Sequence, residues 1–236
     1  MYAHSGGMLY RLNNLTLAAI PVGPMTGLST DLLDLAIDAN DGLVGVTATK
    51  LFSLNATTGA ATFIRDLTGD ARGLTSLSYV PQSLTDPASP DILVSANGSG
   101  QVFQINQATG TATQIGSYGT AAGNAVIGSS GDLFGVRGLG IFATVDVGND
   151  ASANDYLARI DPANGWKATP LGIGTGFNKI FGLGYWGGKI YGFVDNGFEA
   201  GGKMIEIDPN TGAGTVLSSA DVRWFGAGVA TDAPLL

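Results

Sequence analysis

The chain contains no cysteine and only one histidine, His4, among 236 residues. Without thiols it can form no disulfide, no Cys-ligated zinc centre and no thiolate nucleophile. A single imidazole rules out His-rich metal sites and leaves one residue for a Ser-His-Asp arrangement. His4 falls at the end of a predicted strand, where a structural role is expected. Charge is also scarce: 13 % of residues are charged, with 11 Lys+Arg against 19 Asp+Glu and a net charge of −8. So acidic a surface argues against nucleic acid and against anionic membrane as partners. No apolar run reaches the ~18 residues of a membrane-spanning helix. No segment keeps a helical apolar stripe between caps either, so helix is not expected. The first residues show no charged stretch followed by an apolar one, the mark of a secretory leader. Low lysine with abundant Thr, Ser, Asn and Gly is nonetheless the composition of an exported bacterial protein. A periplasmic, cell-surface or extracellular location is the expectation.

What is abundant is glycine, 37 residues, alongside a hydrophobic fraction of 44 %. The glycines punctuate a repeat. Five segments align: LYRLNNLTLAAIPVG (9–23), LFSLNATTGAATFIRDL (51–67), VFQINQATGTATQIG (102–116), LARIDPANGWKATPLG (157–172) and MIEIDPNTGAGTVLS (204–218). Each reads as an alternating strand, a turn and a second strand. An Asn or Asp opens the turn, where its side chain can bond its own backbone. Pro162 and Pro209 preset φ, and Gly59, Gly110, Gly165 and Gly212 supply a left-handed residue. The first copy lacks that glycine and is expected to turn differently. Upstream of each hairpin lie two more strand-like runs, one small and apolar and one apolar-aromatic. In the fourth repeat these are 124–130 and 132–137.

Four strands per repeat of ~40–50 residues indicate a β-propeller. Leu12, Leu54, Ile105, Ile160 and Ile207 recur at intervals of 42, 51, 55 and 47, and of 41 when Ile207 is wrapped through the chain end to Leu12. The expected fold is an all-β, five-bladed propeller with four-stranded blades. The terminal blade is shared, with WFGAGVAT (224–231) giving its first strand and the N-terminus the other three. The blades fall at approximately 224–236 with 1–23, then 24–67, 68–116, 117–172 and 173–218, in one domain. The motifs LYRL, IDPANG and IDPNTGAGT resemble the repeats of bacterial β-propeller proteins of the quinoprotein-like and YncE-like kind, across essentially the whole chain. The resemblance implies the fold. It carries over no cofactor or metal residue, and such propellers serve as dehydrogenases, surface-binding proteins and assembly scaffolds.

Candidate sites follow from the propeller. Residues leading into the inner strands, Asp31, Arg72, Asn124, Asn178 and Arg223, are the candidate ligand-binding set at the central opening. Paired carboxylates there would suit a glycoside hydrolase, for which Asp31, Asp34, Asp70 and Asp221 are the acids nearby. The insertion 146–156, DVGNDASANDY, offers hard oxygen ligands for Ca²⁺ in Asp146, Asn149, Asp150, Asn154 and Asp155, although it is no EF-hand loop. A second insertion, 194–202, should emerge on the same face, the one that also carries the links between blades. Phe177, Tyr185, Trp186 and Trp224 could stack on a sugar, but packing between blades explains them better. The leading expectation is a non-enzymatic binding module that meets a protein or glycan partner through this loop face. The alternatives are a glycoside-active hydrolase and a structural tile of a surface assembly.

Overall fold

The computed structural model describes residues 1–70, 72–148, 154–197 and 201–236. The strands in chain order are β1 (Tyr2–His4), β2 (Met8–Leu12), β3 (Ala19–Pro24), β4 (Asp34–Ile37), β5 (Leu43–Val46), β6 (Lys50–Leu54), β7 (Ala61–Asp66) and β8 (Thr68–Gly69). They continue as β9 (Ser78–Pro81), β10 (Asp91–Ala96), β11 (Gln101–Ile105), β12 (Thr111–Ser117), β13 (Ile127–Val136), β14 (Gly140–Val147), β15 (Tyr156–Asp161) and β16 (Lys167–Pro170). The last are β17 (Ile180–Trp186), β18 (Lys189–Asp195), β19 (Gly202–Ile207), β20 (Gly214–Ala220) and β21 (Gly226–Gly228). They form five antiparallel sheets, each a four-stranded blade of a propeller, with β8 added in parallel to the edge of the third. The ring closes as the repeat predicts. Ala3 pairs with Ala227, so β21 is the innermost strand of a blade completed by β1, β2 and β3. Closure of this kind pairs the N-terminal and C-terminal strands of the shared blade with each other, so neither end is left as a free edge strand.

The hairpin motif works as both turn and blade spacer. Asn55 Oδ1 accepts from the backbone N–H groups of Thr57 and Thr58, and Gly59 N–H donates to Asn55 O at 2.8 Å. Asn106 with Gly110 and Asp208 with Gly212 repeat the arrangement. Contrary to expectation the first copy turns in the same way: Asn13 caps Leu15 and Thr16, and Leu17 itself takes the left-handed conformation at φ 58°. Three of the glycines are also needed for their lack of a Cβ. A methyl group on Gly59, Gly110 or Gly212 would press on a carbonyl of the preceding blade, at Gly23, Asp66 and Leu171 respectively. Gly165 has φ 64° and open space around it.

Blade four departs from the expected strand assignment. The runs 124–130 and 132–137 are not two strands; Ile127–Val136 is the single innermost strand and Gly140–Val147 the second. A register shift between Ser129 and Leu133 splits this long strand, and the small residues on either side of it disguise its continuity. The correction matters because it brings Asp132 to the propeller axis. At the far end of the axis the segment after β21 crosses the channel. Thr231 O accepts from Arg137 N–H, Thr231 Oγ1 donates to Asp91, and Tyr185 Oη donates to Leu235 O.

Gly110→Ala is expected to lower unfolding free energy by roughly 2–3 kcal/mol, from left-handed strain plus overlap with Asp66 O. Gly165→Ala should cost only the strain, ~1 kcal/mol. Urea unfolding of both variants checks this, and equal losses would mean the glycine spacing between blades carries no load.

Candidate functional site

The inner strands leave their inward backbone N–H groups without a ladder partner, and in a buried channel each needs an acceptor. Aligned by the strands, one position per blade meets the axis: Asp34, Ser76, Asp132, Gly182 and Gly226. Asp34, Ser76 and Asp132 expose no surface. The two carboxyl groups gather the next amide of every blade. Asp34 accepts from Leu35 N–H at 2.8 Å and from Leu77 N–H at 2.7 Å. Asp132 accepts from Leu133 and Leu183 N–H, both at 2.6 Å, and from Ala227 N–H. Gly182 and Gly226 make room: a Cβ at Gly226 would strike Asp34 Oδ1 and His4 Nε2.

Asp34 and Asp132 are also hydrogen-bonded to each other. Burial, then the neighbouring Asp132, drives the pKa of Asp34 well above the carboxylate range. Burial pushes Asp132 up to about 8 against its hydrogen bonds, so both acids of the pair favour the protonated form. His4 is equally buried. Its Nδ1 lies 2.9 Å from Ser5 O, which assigns the proton there and leaves Nε2 bare beside the axis. Burial lowers its pKa to about 4, so it is neutral at pH 7.

Above this ring the preceding residue of each blade, Leu33, Thr75, Gly131, Phe181 and Phe225, walls a cup of about 280 Å³. Phe181 and Phe225 lie nearly parallel, with centroids 6.5 Å apart. The cup opens on the loop face. The insertions and the links between blades meet there: Asp195 pairs with Arg223 through bonds of 2.9 and 2.7 Å, and Asp155 N–H donates to Phe177 O. That pairing holds the Asp195 carboxyl below its usual range.

The five residues expected at the central opening sit one layer farther out, on or beyond the rim of the cup. Asp31 is exposed, close to Gly6, which also faces the Phe225 ring. Arg72 is exposed, and its carbonyl accepts from Asn97 Nδ2 at 3.1 Å. Arg223 braces Asp195 and lies 5.1 Å over the Phe225 ring. Asn178 is half-buried and accepts from Lys179 N–H. Asn124 is exposed on a short 3-10 turn, Ala122–Asn124, with φ 60°. Of the insertion residues, Asn149 and Asp150 lie outside the described residues. Asn154 is exposed, Asp146 is half-buried and Asp155 has no exposed surface. Burial, with Asp146 nearby, raises Asp155 to about 7. Among the described residues no three His, Asp or Glu side chains converge as a metal-binding group. Trp224 and Tyr185 are core residues; Phe177 and Trp186 are half-buried against it. The sequence reading overlooked Asp132, and aligning DLF (132–134) with DLA (34–36) would have found it.

No family model matches the sequence, and no curated protein matches it. The fold recurs among solved structures. A protein of unknown function from Bacteroides thetaiotaomicron aligns at 13 % identity and TM-score 0.53, over 81 % of this chain and 52 % of that one. An auxiliary nutrient binding protein from Bacteroides ovatus aligns at 12 % and 0.51, over 92 % and 53 %. A chain of a nidogen–laminin complex aligns at 10 % and 0.53, over 96 % of both. The chain spans about half the length of the two Bacteroides proteins. At such identities the likeness is one of fold.

The axial acids predict a pH signature. Asp132 carries a proton in the folded state up to about 8, far above the ordinary 3.8. Its stabilisation is therefore complete below the unfolded value and is lost as pH rises through about 8. His4 acts oppositely: folded near 4 against 6.5 unfolded, it favours the fold above 6.5 and loses that contribution as pH falls. Between about pH 6.5 and 8, Asp132→Asn, which keeps a donor toward Asp34, should flatten a decline that approaches ~1.4 kcal/mol per pH unit for one proton. Urea midpoints across this window measure it, and unchanged slopes would exclude a protonated Asp132.

Proposed function

We propose that the protein is a non-enzymatic binding module that seats an apolar anchor of a protein partner in the loop-face cup. The observation carrying this reading is the cup itself: an apolar well with two nearly parallel phenyl rings, with the Arg223–Asp195 pair over the Phe225 ring and Asp31 near it. An apolar centre inside a polar rim is how interface hot spots are built. About 280 Å³ lies just under the ~300–1,000 Å³ of small-molecule pockets, which suits one large side chain better than an extended ligand. The acids beneath support this reading over glycoside hydrolysis. They are hydrogen-bonded to each other and to backbone amides and have no exposed surface, so neither faces a site a sugar could enter. Export belongs to the same proposal and rests on composition.

The wild type and a Phe181→Ser/Phe225→Ser variant would be screened against a random peptide library on phage and a glycan array. Peptides with an aromatic or large aliphatic anchor are expected, with at least ~10-fold weaker binding to the variant. A glycan hit lost in the variant would replace the protein partner with a sugar. Hits indifferent to the variant would remove the cup from function.

A further inference from the structure

We propose that Asp146, Asp155 and Ser130 form the protein side of a calcium site in the upper corner of blade four. The three residues come from neighbouring strands. Gly128 pairs with Asp146 across β13 and β14, and Val145 pairs with Tyr156 across β14 and β15. One further step along β14 and β15 sets Asp146 opposite Asp155, and Ser130 follows at the register shift of β13. Like charges directly opposite on adjacent strands repel. A fold that holds two carboxylates this way needs a positive charge or a proton between them.

Asp155 supplies an independent observation. Its residue has no exposed surface, and its orientation is fixed at three points. Asp155 N–H donates to Phe177 O and its carbonyl accepts from Thr175 N–H, both at 2.8 Å; Oδ2 accepts from Ile180 N–H at 2.7 Å. The other oxygen, Oδ1, and Ser130 Oγ are buried within reach of each other and of Asp146, and neither makes a well-aligned hydrogen bond. Buried oxygens so poorly paired are costly unless something binds them. The contrast with the axis is sharp. There two carboxyl groups collect five amides, whereas Asp155 is given one. Its raised pKa agrees with a carboxylate buried without a counter-charge.

The donor set selects the cation class. Two carboxylates and a hydroxyl are hard oxygen ligands with a combined charge of −2. They suit Ca²⁺, which accepts irregular geometry and completes its shell with water. Zinc prefers nitrogen and sulfur, and magnesium demands near-octahedral order. Ser130 also lines the cup, so the proposed cation site shares a wall with it.

Calorimetric titration with CaCl₂, and thermal unfolding with and without it, test the proposal on the whole chain at about pH 7.5, with MgCl₂ as comparison. Calcium should raise Tm by several degrees and bind at one site, with magnesium far weaker. Asp146→Asn should weaken binding at least ~10-fold and remove most of the calcium-induced rise in Tm. Asp155→Asn should do the same to binding, and if it does not fold, Asp146→Asn decides. No heat and no Tm shift up to about 10 mM, or wild-type affinity in Asp146→Asn, would overturn the site and leave a shared proton between the acids.

Discussion

Five inner strands facing a narrow axis present a row of amide donors that no neighbouring strand can take. The whole propeller depends on how those donors are satisfied. Two carboxyl groups, from the second and fourth blades, take one amide from each of the five. Each carboxyl bonds within its own strand and across to the next blade, so the same contacts that neutralise a desolvation cost also lock the blades in rotation. Burial favours the protonated form of both acids, because ionised they would place two negative charges in contact without solvent.

The fold was legible because its punctuation is periodic. An Asn or Asp, a left-handed glycine four residues later and flanking alternation recur at blade-sized intervals, and the wrapped spacing gives the closure. The spacer role of those glycines was not legible, since it arises only when the next blade is in place. Nor was the left-handed Leu17, which tertiary packing imposes where local preference would resist. The strand assignment of blade four failed for a related reason. A long strand with a register shift and a glycine at its centre reads locally as two short ones.

The candidate site was legible in outline only. Charged and amide side chains leading into the inner strands drew attention, and of these Asp31 and Arg223 lie by the Phe225 ring. The cup, however, is walled by the residue just before the axial position. Leucine, threonine, glycine and phenylalanine there carry no signal of binding in a sequence where apolar residues are everywhere. Acids at the axis read as turn residues because burial, which sets their chemistry, is invisible before folding. The insertion acids stood out by residue type alone; only the strand register sets Asp146 opposite Asp155.

The sealed axial ring, together with the chain segment crossing the opposite end, makes the centre of this propeller a blind well and not a pore. Asp34, Ser76 and Asp132 at the axis have no exposed surface, and the crossing segment is tied to Asp91 and Tyr185. Whatever enters the cup must leave by the same mouth. Occupancy there is governed by escape past the Phe181 and Phe225 rings, so residence time, more than encounter, is the quantity this architecture can tune.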